Sequence, residues 1–216
     1  MDAWRGYFDH NATTPLCEAS RVAWLRAAER HWQNPSSLYK DAGLASQALE
    51  AAREQVAEVL GCEAERVVFT SGATEGNNAV FASLGRRLRD GQRAALSAVE
   101  HPSVREAARH WVGVSRVDEL AVSVDGVVEI ETVADWLEAN AGKAVLVSVM
   151  AANNESGVLQ PWQELAALCR ERGVLFHTDA AQWVGKLGAE GLGVCDLVTG
   201  SAHKFGGPKG AGFLVL

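Results

Sequence analysis

From residue 67 onward, short apolar and β-branched runs alternate with longer stretches patterned for helices, and this alternation constrains the fold more than any other feature. The runs are VVFTS (67–71), AALSAV (94–99), VSRV (114–117), VLVSVM (145–150), VLFHT (174–178) and LVTGS (197–201), with GAGFLVL (210–216) as a seventh. Most are apolar at successive positions. A strand with one wet face alternates apolar and polar residues, whereas a strand covered on both faces has no need to. Strand–helix–strand repetition with doubly covered strands predicts an α/β three-layer sandwich around a seven-stranded, mostly parallel sheet. The link between the sixth and seventh runs is too short for a crossover helix, so the last strand is expected to run antiparallel.

Helices are predicted at 43–60, 75–89, 102–112 and 161–172. In the first, Leu44, Ala48, Ala52, Val56 and Val59 share one face, and Gly61 follows as a stop. In the second, Phe81, Leu84 and Leu88 share a face. Pro102 and Pro161 stand where first-turn prolines belong. Residues 1–40, with NATTP and NPSS turns, read as an N-terminal arm ahead of a domain spanning 41–216.

Composition narrows the partners. A hydrophobic fraction of 48% with 22% charge supports a packed core rather than disorder. The 27 acidic residues outnumber the 20 basic ones, giving −7 with no basic run, which disfavours nucleic acid and membrane surfaces. The start lacks a basic segment followed by an apolar run, so it does not read as a signal peptide. Cys17, Cys62, Cys169 and Cys195 are scattered without a C-x-x-C pair. That spacing suits reduced thiols in a cytoplasmic protein better than a disulfide frame or a zinc site, and no metal is expected.

In an open parallel sheet, ligands bind beyond the carboxyl ends of the strands. Five predicted strand ends present Thr74, His101, Asn154, Asp179, Gln182, Ser201, His203 and Lys204. Each has a plainer reading. Ser71 or Thr74 can cap a helix, His101 can cap another, NNE is a common turn, Asp179 can be an N-cap, and Lys204 can be a solvated loop residue. Their recurrence at one edge favours chemistry, and one chemistry uses the whole set. A lysine amine condenses with the aldehyde of pyridoxal 5'-phosphate. A carboxylate such as Asp179 holds a proton on the ring nitrogen, a helix start with hydroxyls such as Ser201 takes the phosphate, and an imidazole such as His101 stacks on the ring and relays protons.

The motifs YFDHNATTP, NPSS, EAAREQVAEVLG, VVFTSGATEGNN, EHPSV, NNESGVLQP, HTDAAQ and SAHKFGGPKGAGFLVL, in this order, resemble the cysteine desulfurases of the class V aminotransferase family, fold type I of the pyridoxal phosphate enzymes. The resemblance implies that Lys204 holds the cofactor covalently, Asp179 pairs with the ring nitrogen and His101 stacks over the ring. It places Asn154 and Gln182 near the phenolic oxygen, and Ala73, Thr74, Ser201 and His203 around the phosphate. It further implies L-cysteine as substrate, alanine and a protein-bound persulfide as products, a homodimer, and a sulfur-acceptor or scaffold partner in iron–sulfur cluster assembly or another sulfur-transfer pathway. Two departures stand out. Ala202 replaces a common glycine, and the family's C-terminal small domain, with its sulfur-attacking cysteine and carboxylate-binding arginine, is absent, so that the resemblance covers the arm and large domain. None of the four cysteines occupies the place of that loop thiol. NPSS and NNESG favour a desulfurase over a selenocysteine lyase or aminotransferase of the same family; a cofactor-binding fragment without turnover is the remaining reading.

Overall fold

The computed structural model describes residues 6–216, so the first five residues of the predicted arm lie outside the described residues. The strands are β1 (Val67–Thr70), β2 (Arg93–Ser97), β3 (Val117–Leu120), β4 (Ala144–Ser148), β5 (Leu175–Asp179), β6 (Leu197–Ser201) and β7 (Gly212–Val215). They form one seven-stranded sheet in the order β1-β7-β6-β5-β4-β2-β3. Only the two pairings made by β7 are antiparallel, so the other six strands run the same way and end at one edge.

The helices are α1 (Glu18–Arg30), α2 (Lys40–Leu60), α3 (Ala73–Arg87), α4 (Pro102–Trp111), α5 (Ile130–Ala139) and α6 (Trp162–Glu171). Strands β2, β4 and β7 divide their apolar side chains between two cores, which explains their unbroken apolar runs. Ala95, Val147, Phe176 and Val198 join the core under α5 and α6, with Val133, Leu137, Trp162 and Leu165. Ala94, Leu96 and Leu146 join the opposite core, with Val80 and Phe81 of α3 and Val104 and Ala108 of α4. The result is the expected three layers. Among the described residues no helix is long and apolar enough to cross a membrane.

Four local expectations change. Residues 114–116 form a three-ten turn, and β3 begins at Val117. The strand VDEL was hidden because it lies at the sheet edge, where Asp118 pairs with Arg93 and accepts a bond from Trp136. Helix α5 was unread, although its Val133 and Leu137 are buried at four-residue spacing. Helix α1 lies inside the stretch read as turns, and it buries no side chain. In α2 the buried stripe is Ala42, Ala45, Ala57 and Leu60, while Leu44 and Val59 stay exposed. Alanines let the helix seat closely, so the smaller face turns inward. Gly61 does end α2, in the left-handed conformation at φ 69° that favours glycine.

Candidate active site

Five parallel strands deliver their last residues and following turns to the carboxyl edge, where a cleft of about 560 Å³ opens. Every sequence-predicted site residue lines it. Ala73 and Thr74 come from the start of α3, and His101 from the β2–α4 turn. Asn154 follows β4, and Asp179 and Gln182 lie at and beyond the end of β5. Ser201, His203 and Lys204 come from β6 and the three-ten turn after it.

One end suits an anion. The N-cap of α3 is Gly72, with no side-chain cap bond, so neither Ser71 nor Thr74 caps the helix. Instead Glu75 reaches back to accept a bond from the Ser71 N–H at 2.7 Å. The remaining first-turn N–H groups stay available to a ligand, at the positive end of a helix. A Cβ on Gly72 would lie 3.2 Å from the Ser201 hydroxyl oxygen, so glycine keeps that hydroxyl and the helix start together. Lys209 adds a positive charge to the lining.

The Lys204 amine donates to the carbonyls of Asn11 at 2.6 Å and Ala12 at 3.0 Å. Burial holds its pKa below the ordinary lysine value, opposed by the charges of Asp179 and Asp9. His203 is likewise lowered, by burial first and then by Lys204 and Lys209. Its Nδ1 lies 3.0 Å from the Thr13 hydroxyl, and its carbonyl accepts from the Thr14 hydroxyl at 2.9 Å. The Ala202 departure leaves this turn in place. Gly207 lies so close that a Cβ there would meet the Ala202 methyl at 2.6 Å, so the extra methyl is accommodated where Gly207 has none.

Asp179 is no helix cap. It ends β5, where Oδ1 accepts from the Ala181 N–H at 3.0 Å and Oδ2 from the Asn77 side-chain amide at 2.9 Å. His101 both caps α4 and lines the cleft; its Nδ1 accepts from the Ser103 N–H at 3.1 Å. Gln182 donates to the Asn11 carbonyl at 2.8 Å and accepts from Lys186. In the NNE turn the turn-former is Asn153, whose side-chain oxygen accepts from the N–H groups of Glu155 and Ser156. Asn154 is the cleft residue, with its amide donating to Glu155 at 2.7 Å.

Several residues escaped the sequence reading. Asn77 is fully buried beneath Asp179. It sits four residues before Phe81 on the predicted stripe of α3, and a polar residue in an apolar stripe was the available signal. Glu100, next to His101, is buried with Oε1 accepting from the Ser97 hydroxyl and the Met150 N–H. Burial, aided by Asp179, raises its pKa to about 8. Asn11 through Thr14 carried no signal for this role, because they act mainly through backbone carbonyls and hydroxyls.

Among the described residues no cysteine and no arginine lines the cleft. Cys169 and Cys195 are buried thiols pushed up to about 12, and Cys17 is exposed at the head of α1. Among the described residues no group of three His, Cys, Asp or Glu side chains is placed to hold a metal ion. The donor set fits pyridoxal phosphate: an amine for its aldehyde, hydroxyls and a helix start for its phosphate, a carboxylate for its ring nitrogen, and an imidazole in the same cleft.

Comparison with known proteins agrees with this chemistry. The family described as Aminotransferase class-V matches residues 6–216. Among curated relatives, the cysteine desulfurase IscS of Rickettsia bellii (strain OSU 85-389) is 39% identical over 96% of this chain and 51% of its own length. Among solved structures, a NifS-like protein superposes with a TM-score of 0.88 at 31% identity, over 97% of this chain and 58% of that one. Another, SspA in complex with cysteine, gives a TM-score of 0.87 at 30% identity over 97% of this chain and 60% of that one. The chain thus spans about half the length of the curated relative.

Proposed function

The chain belongs to the class-V aminotransferase family, and from that membership we propose that it is the pyridoxal-phosphate-binding part of a cysteine desulfurase. The observation that carries the reading is convergence: five separate strand ends bring a half-buried amine, a hydrogen-bonded carboxylate, an imidazole and an uncapped helix start into one cleft. When bound, pyridoxal phosphate supplies an aldehyde and an electron-withdrawing ring.

The protein's own groups have distinct tasks. The lowered pKa of Lys204 raises the share of free amine at neutral pH, the form that reacts with a carbonyl and accepts a proton. Asp179, with both oxygens oriented by N–H donors, would hold a proton at a ring nitrogen. His101 would meet the ring from within the same cleft. Ser201, His203, Thr74 and the Ala73 N–H would bind phosphate, with Lys209 adding charge. Gln182, steadied by Lys186 and Asn11, stands with Asn154 for the phenolic oxygen.

On this reading L-cysteine is the substrate, consistent with the cysteine complex of SspA. Family membership, rather than composition, is the ground for proposing further a cytoplasmic homodimer that passes sulfur to an acceptor or scaffold protein. None of the four cysteines lines the cleft. The test is to incubate the chain with pyridoxal phosphate, reduce with borohydride and map the labelled peptide. Label on Lys204, lost in Lys204→Ala, is expected. Label elsewhere, or none in a folded sample, refutes the reading. Added L-cysteine is expected to perturb the bound cofactor's absorbance far more than glycine does.

A further inference from the structure

A buried hydrogen-bond chain crosses the sheet behind the cleft, and its direction can be deduced. The Ser148 hydroxyl lies 2.8 Å from Nδ1 of His177, its neighbour across the β4–β5 pair. Nε2 of His177 lies 3.4 Å from the Thr199 hydroxyl. Thr199 donates to Oδ1 of Asn77 at 2.7 Å. The Asn77 amide nitrogen donates to Asp179 at 2.9 Å and to the Ser103 hydroxyl at 3.0 Å. Ser103 in turn lies 2.7 Å from Nδ1 of His101.

Two groups fix which way the protons point. The Asp179 oxygens act as acceptors, so Asn77 must turn its NH2 toward them and its oxygen toward Thr199. The Ser103 backbone N–H can only donate, so Nδ1 of His101 is an acceptor and a neutral ring carries its proton on Nε2. Between these anchors every hydroxyl has one consistent role. Ser103 accepts from Asn77 and donates to His101, and Thr199 donates to Asn77 and accepts from Nε2 of His177. Ser148 then donates to Nδ1 of His177. Burial drives His177 down to about 3, which keeps the far end of the chain neutral.

We propose that Asn77 is a positioning residue shared by Asp179 and His101. One amide, using both of its N–H groups, sets the carboxylate and, through Ser103, holds the imidazole so that Nε2–H is the group left for the ligand. The roles of Asp179 and His101 toward the cofactor rest on the function proposed above, whereas the wiring does not, and the experiment has an arm for each.

In the first arm the cofactor-free chain is labelled at its histidine ring nitrogens and studied by NMR. His101 is expected to show an unprotonated Nδ1 and a protonated Nε2. Asn77→Ala is expected to move the Nδ1 resonance toward its position in Ser103→Ala, and Thr199→Val, which removes the donor that holds the amide, to move it less in the same direction. Should Asn77→Ala fail to fold, Thr199→Val still decides. A His101 ring signal unmoved in the folded variants overturns the proposal, since a merely space-filling asparagine would leave it there. In the second arm the chain is loaded with pyridoxal phosphate. Asn77→Ala is expected to keep uptake at Lys204 while shifting the bound cofactor's visible absorbance in the direction of Asp179→Asn, by a smaller amount. An unshifted spectrum overturns the Asp179 half. A parent chain that takes up no cofactor refutes the function alone, because the first arm needs none.

Discussion

The floor of the cleft and the N-terminal segment that overlies it hold their residues by opposite means. On the floor, Asn77, His177 and Thr199 are fully buried, and their polar atoms are bonded to one another. In the N-terminal segment, α1 buries no side chain, Trp24 and Trp32 are 57% and 73% exposed, and attachment to the site runs through Asn11, Ala12, Thr13, Thr14 and Cys17. The floor orients specific atoms because each buried polar group must be satisfied or cost free energy. The overlying segment needs only to place carbonyls and hydroxyls, so its sequence is constrained less by packing.

Substitutions that strike either region sharpen the contrast. The largest effect is expected under the sheet: Trp162→Ala, at a residue only 2% exposed, should cost about 3–5 kcal/mol in chemical denaturation. A loss near that of a surface residue would show that the floor is not rigidly supported.

Next comes Glu100, whose folded pKa is about 8 against an ordinary 4.5. A raised folded value means that folding takes up a proton between those two values. Its stabilising contribution is therefore full below pH 4.5, falls as pH rises, and is gone above about pH 8. The slope is about 1.4 kcal/mol per pH unit within that window. Glu100→Gln, which keeps an acceptor for Ser97 and Met150, should flatten this part of the stability curve. An unchanged slope would place the proton elsewhere.

A smaller change is expected in the overlying N-terminal segment. Thr14→Val removes the hydroxyl that donates to the His203 carbonyl and accepts from the Gly206 N–H, which should cost about 1 kcal/mol and weaken cofactor uptake modestly. Smallest of all, Trp24→Ala should change the stability of this chain by less than about 0.5 kcal/mol. A larger loss there would mean that α1 is held by contacts the fold does not display.

The same contrast explains what the sequence made legible. Residues at strand ends were readable because a doubly covered sheet has one ligand edge, and polar groups there interrupt apolar runs. Asp179, Lys204 and the other polar residues that line the cleft were placed at one edge in that way, Ala73 only through the resemblance, and the reversal of β7 was read from its short connection. The buried supports were harder to see. Asn77 and His177 sit inside apolar patterns, where periodicity reports only burial and hydrogen-bond partners come from distant segments. Edge strand β3 was misplaced because its polar side chains are satisfied by Arg93 and Trp136, contacts no local pattern encodes. The overlying N-terminal segment was illegible in this role for a different reason: backbone carbonyls look alike at every residue.

One cleft, built from strand ends, is proposed to receive pyridoxal phosphate in a single orientation. A crystal structure of the chain loaded with pyridoxal phosphate decides the matter. The cofactor is expected to be joined to Lys204, with its phosphate within about 3 Å of Ser201 and the start of α3, and its ring nitrogen beside Asp179. A phosphate lodged away from the α3 terminus, or a ring nitrogen facing away from Asp179, would contradict it.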